Sequence, residues 1–231
     1  MLKNTIINIG VIKKIAAALG NLNEQVVYVG GAVVSLYADD EAADDVRPTK
    51  DIDISLSIAT LHELEILRQE LVQKGFIQST EEDVVCRFRF EDIKVDVMST
   101  IAVGWAPANP WFAPGFNLKQ QVEMDGQFIR ILPLSYFLAS KFTAYNDRGN
   151  KEPRTSHDFE DITYLLDNRI HLAEEINNSP EDVRAFLKIE FTKIVQDSVK
   201  QEAIMANLYY ETQTLRFNNI LSKLNAILNA D

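Results

Sequence analysis

Cysteine and histidine are scarce in this chain of 231 residues. It has one cysteine, Cys86, and three histidines. A single thiol excludes an intramolecular disulfide and a zinc site built on several cysteines. The lack of disulfides is typical of proteins in a reducing compartment, so we expect a cytoplasmic protein.

Basic residues and long apolar runs are also in short supply. The chain has 23 Lys and Arg against 34 Asp and Glu, which gives a net charge of -11. Such a charge does not attract phosphate backbones from a distance, so a nucleic-acid partner would need a local basic patch. Lys13 and Lys14 interrupt the apolar N-terminal stretch, and no signal-peptide cleavage pattern follows. No apolar run reaches the roughly 18 residues of a membrane span, so we expect no membrane partner.

The pattern of apolar residues changes near Pro133. Before it, short strand-like segments alternate with helices and form two hairpins; after it, only helical periodicity remains. The fold class that this predicts is α+β, with a mixed β-sheet flanked by helices in residues 1–133 and an α-helical domain in residues 134–231. The acidic segment 39–48 predicts a solvated loop.

Two aspartates occupy a predicted strand in the stretch "RPTKDIDISL", residues 47–56. Residues i and i+2 of a strand lie on the same face, about 6.7 Å apart, so Asp51 and Asp53 project together while Ile52 and Ile54 enter the core. Two neighbouring carboxylates repel each other unless a cation compensates. Magnesium binds one or two carboxylates and completes its shell with water and phosphate oxygens, so the pair is a candidate metal site.

A third aspartate is predicted to lie on a neighbouring strand. A two-residue turn at 91–92 places the apolar residues of segments 84–90 and 93–99 on one face of a hairpin. The same register puts Asp96 on the polar face beside Arg87. A third carboxylate would complete a two-metal site of the kind that promotes in-line attack on phosphorus.

A glycine pair follows the predicted strand 25–29. Gly30 and Gly31 stand between this strand and a short helix, where glycine allows a phosphate to approach backbone N–H groups.

Each of these features also has a purely structural interpretation. Two aspartates on an exposed strand of an acidic protein are often solvated, and a glycine pair often forms a tight turn without a ligand. His157 is at a predicted helix start. For Trp105 and Trp111, the functional interpretation is stacking on a base, and the structural one is packing of a proline-rich loop onto the sheet.

The combined pattern resembles the polymerase-β-like nucleotidyltransferase superfamily. The signature of this superfamily is a Gly-Gly or Gly-Ser turn followed by D-x-D or D-x-E and a later strand aspartate. The segments "GGAVVSLY", "RPTKDIDI", "LASKFTAYNDRG" and "HDFEDITYLL" are most similar to AbiEii-type nucleotidyltransferases, which act as toxins. The resemblance spans about residues 25 to 166 and implies a nucleotidyltransferase-like sheet.

The resemblance implies roles for the candidate residues. Gly30 and Gly31 would hold phosphate, and Asp51 and Asp53 would bind metal. Asp96 would share a metal and activate the attacking hydroxyl. In the helical half, the residues that the resemblance assigns to nucleotide binding are Lys141, Asp158 and Asp161.

The function that the resemblance implies is a Mg²⁺-dependent nucleotidyltransferase. It would transfer NMP from an NTP to an acceptor hydroxyl on tRNA, a protein or a small molecule, as the toxin of a toxin–antitoxin system with an antitoxin partner. The alternative is a non-catalytic member of the same fold that binds a nucleotide or a protein partner.

Overall fold

The chain divides into two compact units. The computed structural model describes residues 2–49, 51–78, 86–148 and 152–230. One unit comprises Met1–Ser35 and Asp45–Pro133, and the other comprises Leu36–Asp44 and Leu134–Asp231. The first is called the sheet unit below and the second the helical unit.

The sheet unit contains a seven-stranded mixed sheet. Its strands are β1 (Val26–Val29), β2 (Asp51–Leu56), β3 (Ile77–Gln78), β4 (Arg87–Phe90), β5 (Ile93–Ser99), β6 (Gln120–Met124) and β7 (Gln127–Ile131). They are ordered β3-β4-β5-β2-β1-β7-β6. Strand β2 is therefore central, antiparallel to β1 and parallel to β5.

The first hairpin has the predicted register. Arg87 pairs with Asp96 and Phe88 with Val95 across a turn at Glu91 and Asp92. Phe88 and Val95 are fully buried, because alternation places both on the core face of the hairpin. The part of this prediction that concerns 84–85 lies outside the described residues.

The second hairpin turns at Asp125–Gly126, between β6 and β7. Both turn residues have positive φ, 48° at Asp125 and 83° at Gly126. A two-residue turn with two positive φ values matches the twist of the strands that it joins.

Helices of the described residues flank the sheet and build the helical unit. Those of the sheet unit are α1 (Lys3–Leu19), α2 (Leu61–Gln73), α3 (Phe112–Phe116) and the start of the 3-10 helix Gly31–Tyr37. Those of the helical unit are α4 (Leu134–Asp147), α5 (His157–Asn168), α6 (Leu172–Asn177), α7 (Glu181–Gln196), α8 (Ser198–Ala206) and α9 (Gln213–Leu228). Helix α1 packs on β7, and α4 packs on α5 and α7. The predicted mixed sheet, flanking helices and helical half are confirmed.

Sequence signals explain where several helices begin. Thr60 accepts a hydrogen bond from the backbone N–H of Glu63, whose carboxylate in turn accepts one from the backbone N–H of Thr60, so α2 begins with a capping box. The Ser156 hydroxyl accepts a hydrogen bond from the backbone N–H of Phe159 at the start of α5. The segment after Gly31 is a 3-10 helix.

The acidic segment is a loop, as predicted, but three of its partly exposed carboxylates bind groups of the protein. In the helical unit, Asp39 accepts hydrogen bonds from the backbone N–H groups of Ile170 and His171. Asp44 lies 2.8 Å from Arg216 of α9. In the sheet unit, Asp45 accepts hydrogen bonds at the start of α1. These carboxylates therefore accept hydrogen bonds from backbone N–H groups and pair with a cation of the protein.

Helix α1 has an unusual composition. Together with the turn that follows it, Lys3–Glu24, it is long and apolar enough to cross a membrane by length and composition alone. Core helices of soluble proteins meet the same criterion, and α1 buries Ile12, Ile15 and Leu19 completely. The expectation that no membrane partner exists stays a prediction.

Candidate active site

Strand β2 presents the two aspartates on one face of the sheet. Ile52 and Ile54 are buried, whereas Asp51 is exposed and Asp53 is half-buried. The strand thus follows the alternation read from the sequence: the isoleucines fix its orientation, and the aspartates occupy the polar face.

Asp53 and Asp96 are direct neighbours across two parallel strands. Asp53 of β2 pairs with Asp96 of β5, and Asp51 pairs with Lys94. Adjacent strands lie about 4.8 Å apart, and register partners share a face. The structure therefore brings the three predicted metal-binding aspartates onto one polar face.

The glycine turn lies beside the same carboxylate. Val29, the last residue of β1, pairs with Asp53. Gly30 follows with a φ of +73°, and a Cβ added at Gly30 would lie 1.8 Å from Asp53 Oδ2. Only a residue without a side chain fits there, so Gly30 both makes the turn and leaves room for Asp53. This close approach is additional to the predicted phosphate-binding role of Gly30 and Gly31.

Arg87 holds Asp96 with two hydrogen bonds. Its Nε lies 2.7 Å from Asp96 Oδ1 and its Nη2 lies 2.8 Å from Oδ2, with both side chains 14% exposed. This fork-to-fork geometry is the strong form of an arginine–carboxylate pair. Sequence analysis placed the two residues side by side, and the structure shows that both Asp96 oxygens are engaged.

The chemistry of the three aspartates fits magnesium, but they are not yet gathered around one point. Carboxylate oxygens are the ligands that Mg²⁺ prefers, and Gly30 leaves Asp53 free of a Cβ clash. Among the described residues, no three His, Cys, Asp or Glu side chains already form a group that would hold a metal ion. The three carboxylates that would bind the metal are therefore present on one face, but Asp96 is hydrogen-bonded to Arg87.

The thiol nearest to Asp96 is chemically quiet. Burial, and then the negative charge of Asp96, raises the pKa of Cys86 to about 11. Cys86 therefore remains a protonated thiol at neutral pH and is no nucleophile for this face.

A second set of predicted residues meets in the helical unit. Lys141 Nζ lies 2.7 Å from Asp161 Oδ2 and 3.3 Å from Asp158 Oδ1. The three side chains are 7%, 4% and 5% exposed, respectively. The spacing of Asp158 and Asp161 puts both on the face of α5 that packs on α4, where Lys141 lies among apolar residues. A buried lysine requires such anionic partners.

Arg148 is the residue of this cluster that the sequence did not reveal. Its Nη1 lies 3.2 Å from Asp158 Oδ2. Asp158 Oδ2 has no hydrogen-bond partner among the described residues, so its contact with Arg148 is an ion pair without hydrogen-bond geometry. The Arg148 side chain is 68% exposed, and an exposed arginine at the end of a helix gives no sequence signal of its role.

The contacts of His157 and Trp105 are those of residues with a structural role. His157 is 68% exposed and lies 3.2 Å from Glu160 on the same helix. The Trp105 ring packs on Phe88 with centroids 5.6 Å apart, as expected for a loop packed onto the sheet.

Comparison with known proteins identifies the fold. No family model matches the chain, and no curated protein matches it. Among solved structures, it is similar to an antigenic nucleotidyltransferase-like protein from Paracoccidioides brasiliensis, with a TM-score of 0.51, 16% identity and coverage of 86% of this chain and 92% of that chain. A similarity with the antibiotic-resistance factor ANT(2'')-Ia has a TM-score of 0.49 and 15% identity, covering 81% of this chain and 95% of that chain. The chain therefore has the fold of a nucleotidyltransferase-like protein.

Proposed function

We propose that this protein is a Mg²⁺-dependent nucleotidyltransferase that transfers NMP from an NTP to an acceptor hydroxyl. The observation that carries the proposal is the row formed by Gly30 directly after β1, Asp53 of β2 and Asp96 of β5, in a fold shared with a nucleotidyltransferase-like protein. Phosphoryl transfer needs positioning and neutralisation of charge more than covalent chemistry, and carboxylates that hold Mg²⁺ next to a glycine turn provide both.

The row and its neighbours Asp51 and Gly31 have these roles in the proposal. Asp51 and Asp53 would hold Mg²⁺, which when bound neutralises charge on the triphosphate. The Gly30–Gly31 turn would accept the phosphates through backbone N–H groups. Asp96 would share a metal and take the proton of the acceptor hydroxyl as the new bond to phosphorus forms, and pyrophosphate would leave on the opposite side.

The helical unit contributes Lys141, Asp158 and Asp161 to the proposal. The resemblance to AbiEii-type proteins assigns these residues to nucleotide binding. Their mutual ion pairs support a joint role, because the two aspartates fix the amine of Lys141 in one position. The assignment to AbiEii-type toxins, with an antitoxin partner, belongs to the same proposal.

The acceptor is tRNA, a protein or a small molecule. The net charge of -11 counts against tRNA, while the toxin resemblance counts for it. The test is incubation with each labelled NTP and Mg²⁺ in the presence of total RNA, cell protein or small alcohols. We expect one NTP to label one acceptor class with wild-type protein and not with Asp53→Asn. Labelling that survives this substitution would remove the metal assignment.

A non-catalytic nucleotide- or partner-binding member of the fold is the second candidate. The pairing of Asp96 with Arg87 favours it, because a carboxylate with both oxygens engaged is a poor base. Metal-dependent turnover of an NTP separates the two candidates: nucleotide binding without turnover, under conditions that keep the protein folded, supports the second.

A further inference from the structure

Arg87 continues the row of functional residues onto a fourth strand. Val29, which precedes the glycine turn, pairs with Asp53, Asp53 pairs with Asp96, and Asp96 pairs with Arg87. All four residues share one face of the sheet. Arg87 therefore closes the row at the end opposite to the proposed phosphate turn.

The polar face around this row is balanced in charge without a metal ion. Asp51, Asp53 and Asp96 share it with three cations of β4 and β5, namely Arg87, Arg89 and Lys94. Arg87 is the cation that binds Asp96 through two charge-assisted hydrogen bonds. Arg89 is the register partner of Lys94.

Arg87 and a divalent cation would compete for the same carboxylate, that of Asp96. The guanidinium occupies both oxygens of Asp96, and the described residues hold no preassembled group of three metal ligands. A cation that binds Asp96 therefore competes with the guanidinium for the negative charge of this carboxylate and favours its release. The displaced guanidinium then needs another anion, and phosphate matches its fork as well as carboxylate does.

We propose that Arg87 exchanges partners, leaving Asp96 for a phosphate of the ligand when the divalent cation and the triphosphate arrive together. This inference rests on the proposed function and deepens it. Arg87 is a positioning residue that weakens binding of the cation alone and strengthens binding of the cation when triphosphate accompanies it. Binding of the two ligands is therefore coupled through one side chain.

The test measures both ligands on matched variants. Mn²⁺ is titrated alone, with free Mn²⁺ followed by electron paramagnetic resonance, and the 1:1 complex of Mn²⁺ with inorganic tripolyphosphate is titrated by calorimetry. We expect Arg87→Gln to bind Mn²⁺ alone about 5-fold more tightly, and the extra affinity conferred by tripolyphosphate to fall by at least that factor. Arg89→Gln removes the same charge from the same strand and face, and it should change this extra affinity by less than about 2-fold.

Arg87→Lys and Asp53→Asn complete the test. Arg87→Lys keeps the charge but loses the fork, so it should shift both quantities in the same directions by less; it also serves if Arg87→Gln does not fold. Mn²⁺ affinity that is unchanged or weaker in the Arg87 variants overturns the inference. If wild-type Mn²⁺ binding does not depend on Asp53, tested with Asp53→Asn, the proposed metal site fails as well. If it depends on Asp53 but not on Arg87, only the partner exchange is wrong.

Discussion

Gly30 satisfies two constraints at once. Its φ of +73° is unfavourable for residues with a Cβ, and an added Cβ would lie 1.8 Å from Asp53 Oδ2. We expect Gly30→Ala to lose about 1–3 kcal/mol of unfolding free energy from the backbone alone and more from displacing Asp53. Chemical denaturation monitored by circular dichroism measures the loss.

Gly126 provides the matched control for that substitution. It has a φ of +83°, and a Cβ there would meet nothing within 4 Å. Gly126→Ala therefore isolates the cost of the backbone conformation. Equal losses of unfolding free energy for the two variants would show that a Cβ at position 30 does not clash with Asp53.

Lys141 is the second residue whose removal has a large predicted effect. Lys141→Met keeps most of the side-chain volume but removes the buried cation that lies between Asp158 and Asp161, and leaves the exposed Arg148 next to Asp158. Breaking a buried pair from one side costs about 3–5 kcal/mol. Denaturant unfolding should show this loss, and the triple variant with Asp158→Asn and Asp161→Asn should recover part of it.

Lys193 offers a comparison on α7. It lies 2.6 Å from the buried Glu190, but its own side chain is 50% exposed. Water screens an exposed partner, so Lys193→Met should cost about 1 kcal/mol or less. If both lysine variants cost the same, burial of the Lys141 pair is not what makes it strong.

At the scale of elements, the hairpins show what the sequence is able to predict. The two-residue periodicity of 86–90 and 93–99 allows one register only, since a slip of one residue would put Arg87 and Asp96 into the core. The strand of Asp51 and Asp53 was predictable for the same reason. The contact of Gly30 with Asp53 was not, because it depends on the pairing of β1 with β2, which neither segment encodes alone.

The short helices and the acidic segment were harder to predict for a different reason. Helices α6 and α8 contain six and nine residues, too few for a helical period to stand out. The carboxylates of Asp39, Asp44 and Asp45 find partners far away in the chain. A run of charges carries no information about such distant partners, and solvation was the natural expectation.

Helix α1 provides the prediction at this scale. Its N-cap residue makes no side-chain hydrogen bond, and Asp45 accepts bonds from Asn4 N at 2.7 Å and Thr5 N at 2.8 Å instead. Removing a cap of this kind costs about 0.5–2 kcal/mol. We expect Asp45→Ala to lose that much at pH 7, whereas Glu41→Ala, an exposed carboxylate of the same segment, should be neutral.

The loss from Asp45→Ala should depend on pH. Desolvation by itself would raise the pKa of Asp45, but hydrogen bonds from Asn4, Thr5 and Val46 hold that pKa below its usual 3.8. A carboxyl with a lowered folded pKa stabilises the fold above its unfolded pKa and loses that contribution as pH falls through the folded value. The difference between wild type and Asp45→Ala should therefore be constant near neutral pH and shrink below pH 3.8. A constant difference down to the acid unfolding limit would contradict this cap.

At the scale of the whole molecule, a bound cation should be visible in global stability. A ligand that binds only the folded state stabilises it by RT ln(1 + [L]/Kd), about 1.4 kcal/mol at ten times Kd. We expect Mg²⁺ to raise the melting temperature of wild-type protein and to have little effect on Asp51→Asn or Asp53→Asn. In metal-free buffer these two variants should differ little from wild type, because Arg87, Arg89 and Lys94 already balance the aspartates of this face.

Asp125→Asn is the control for that experiment. Asp125 is a surface aspartate, 81% exposed and paired with Lys13, in a turn of the same unit. Asp125→Asn changes the net charge by the same amount as Asp51→Asn and Asp53→Asn. A general effect of Mg²⁺ on an acidic protein would therefore be reduced equally in all three variants. A selective loss in Asp51→Asn and Asp53→Asn locates the cation on β2. A Mg²⁺ response that persists in both would mean that the strand aspartates are solvated surface and that the proposed transferase activity lacks its metal site.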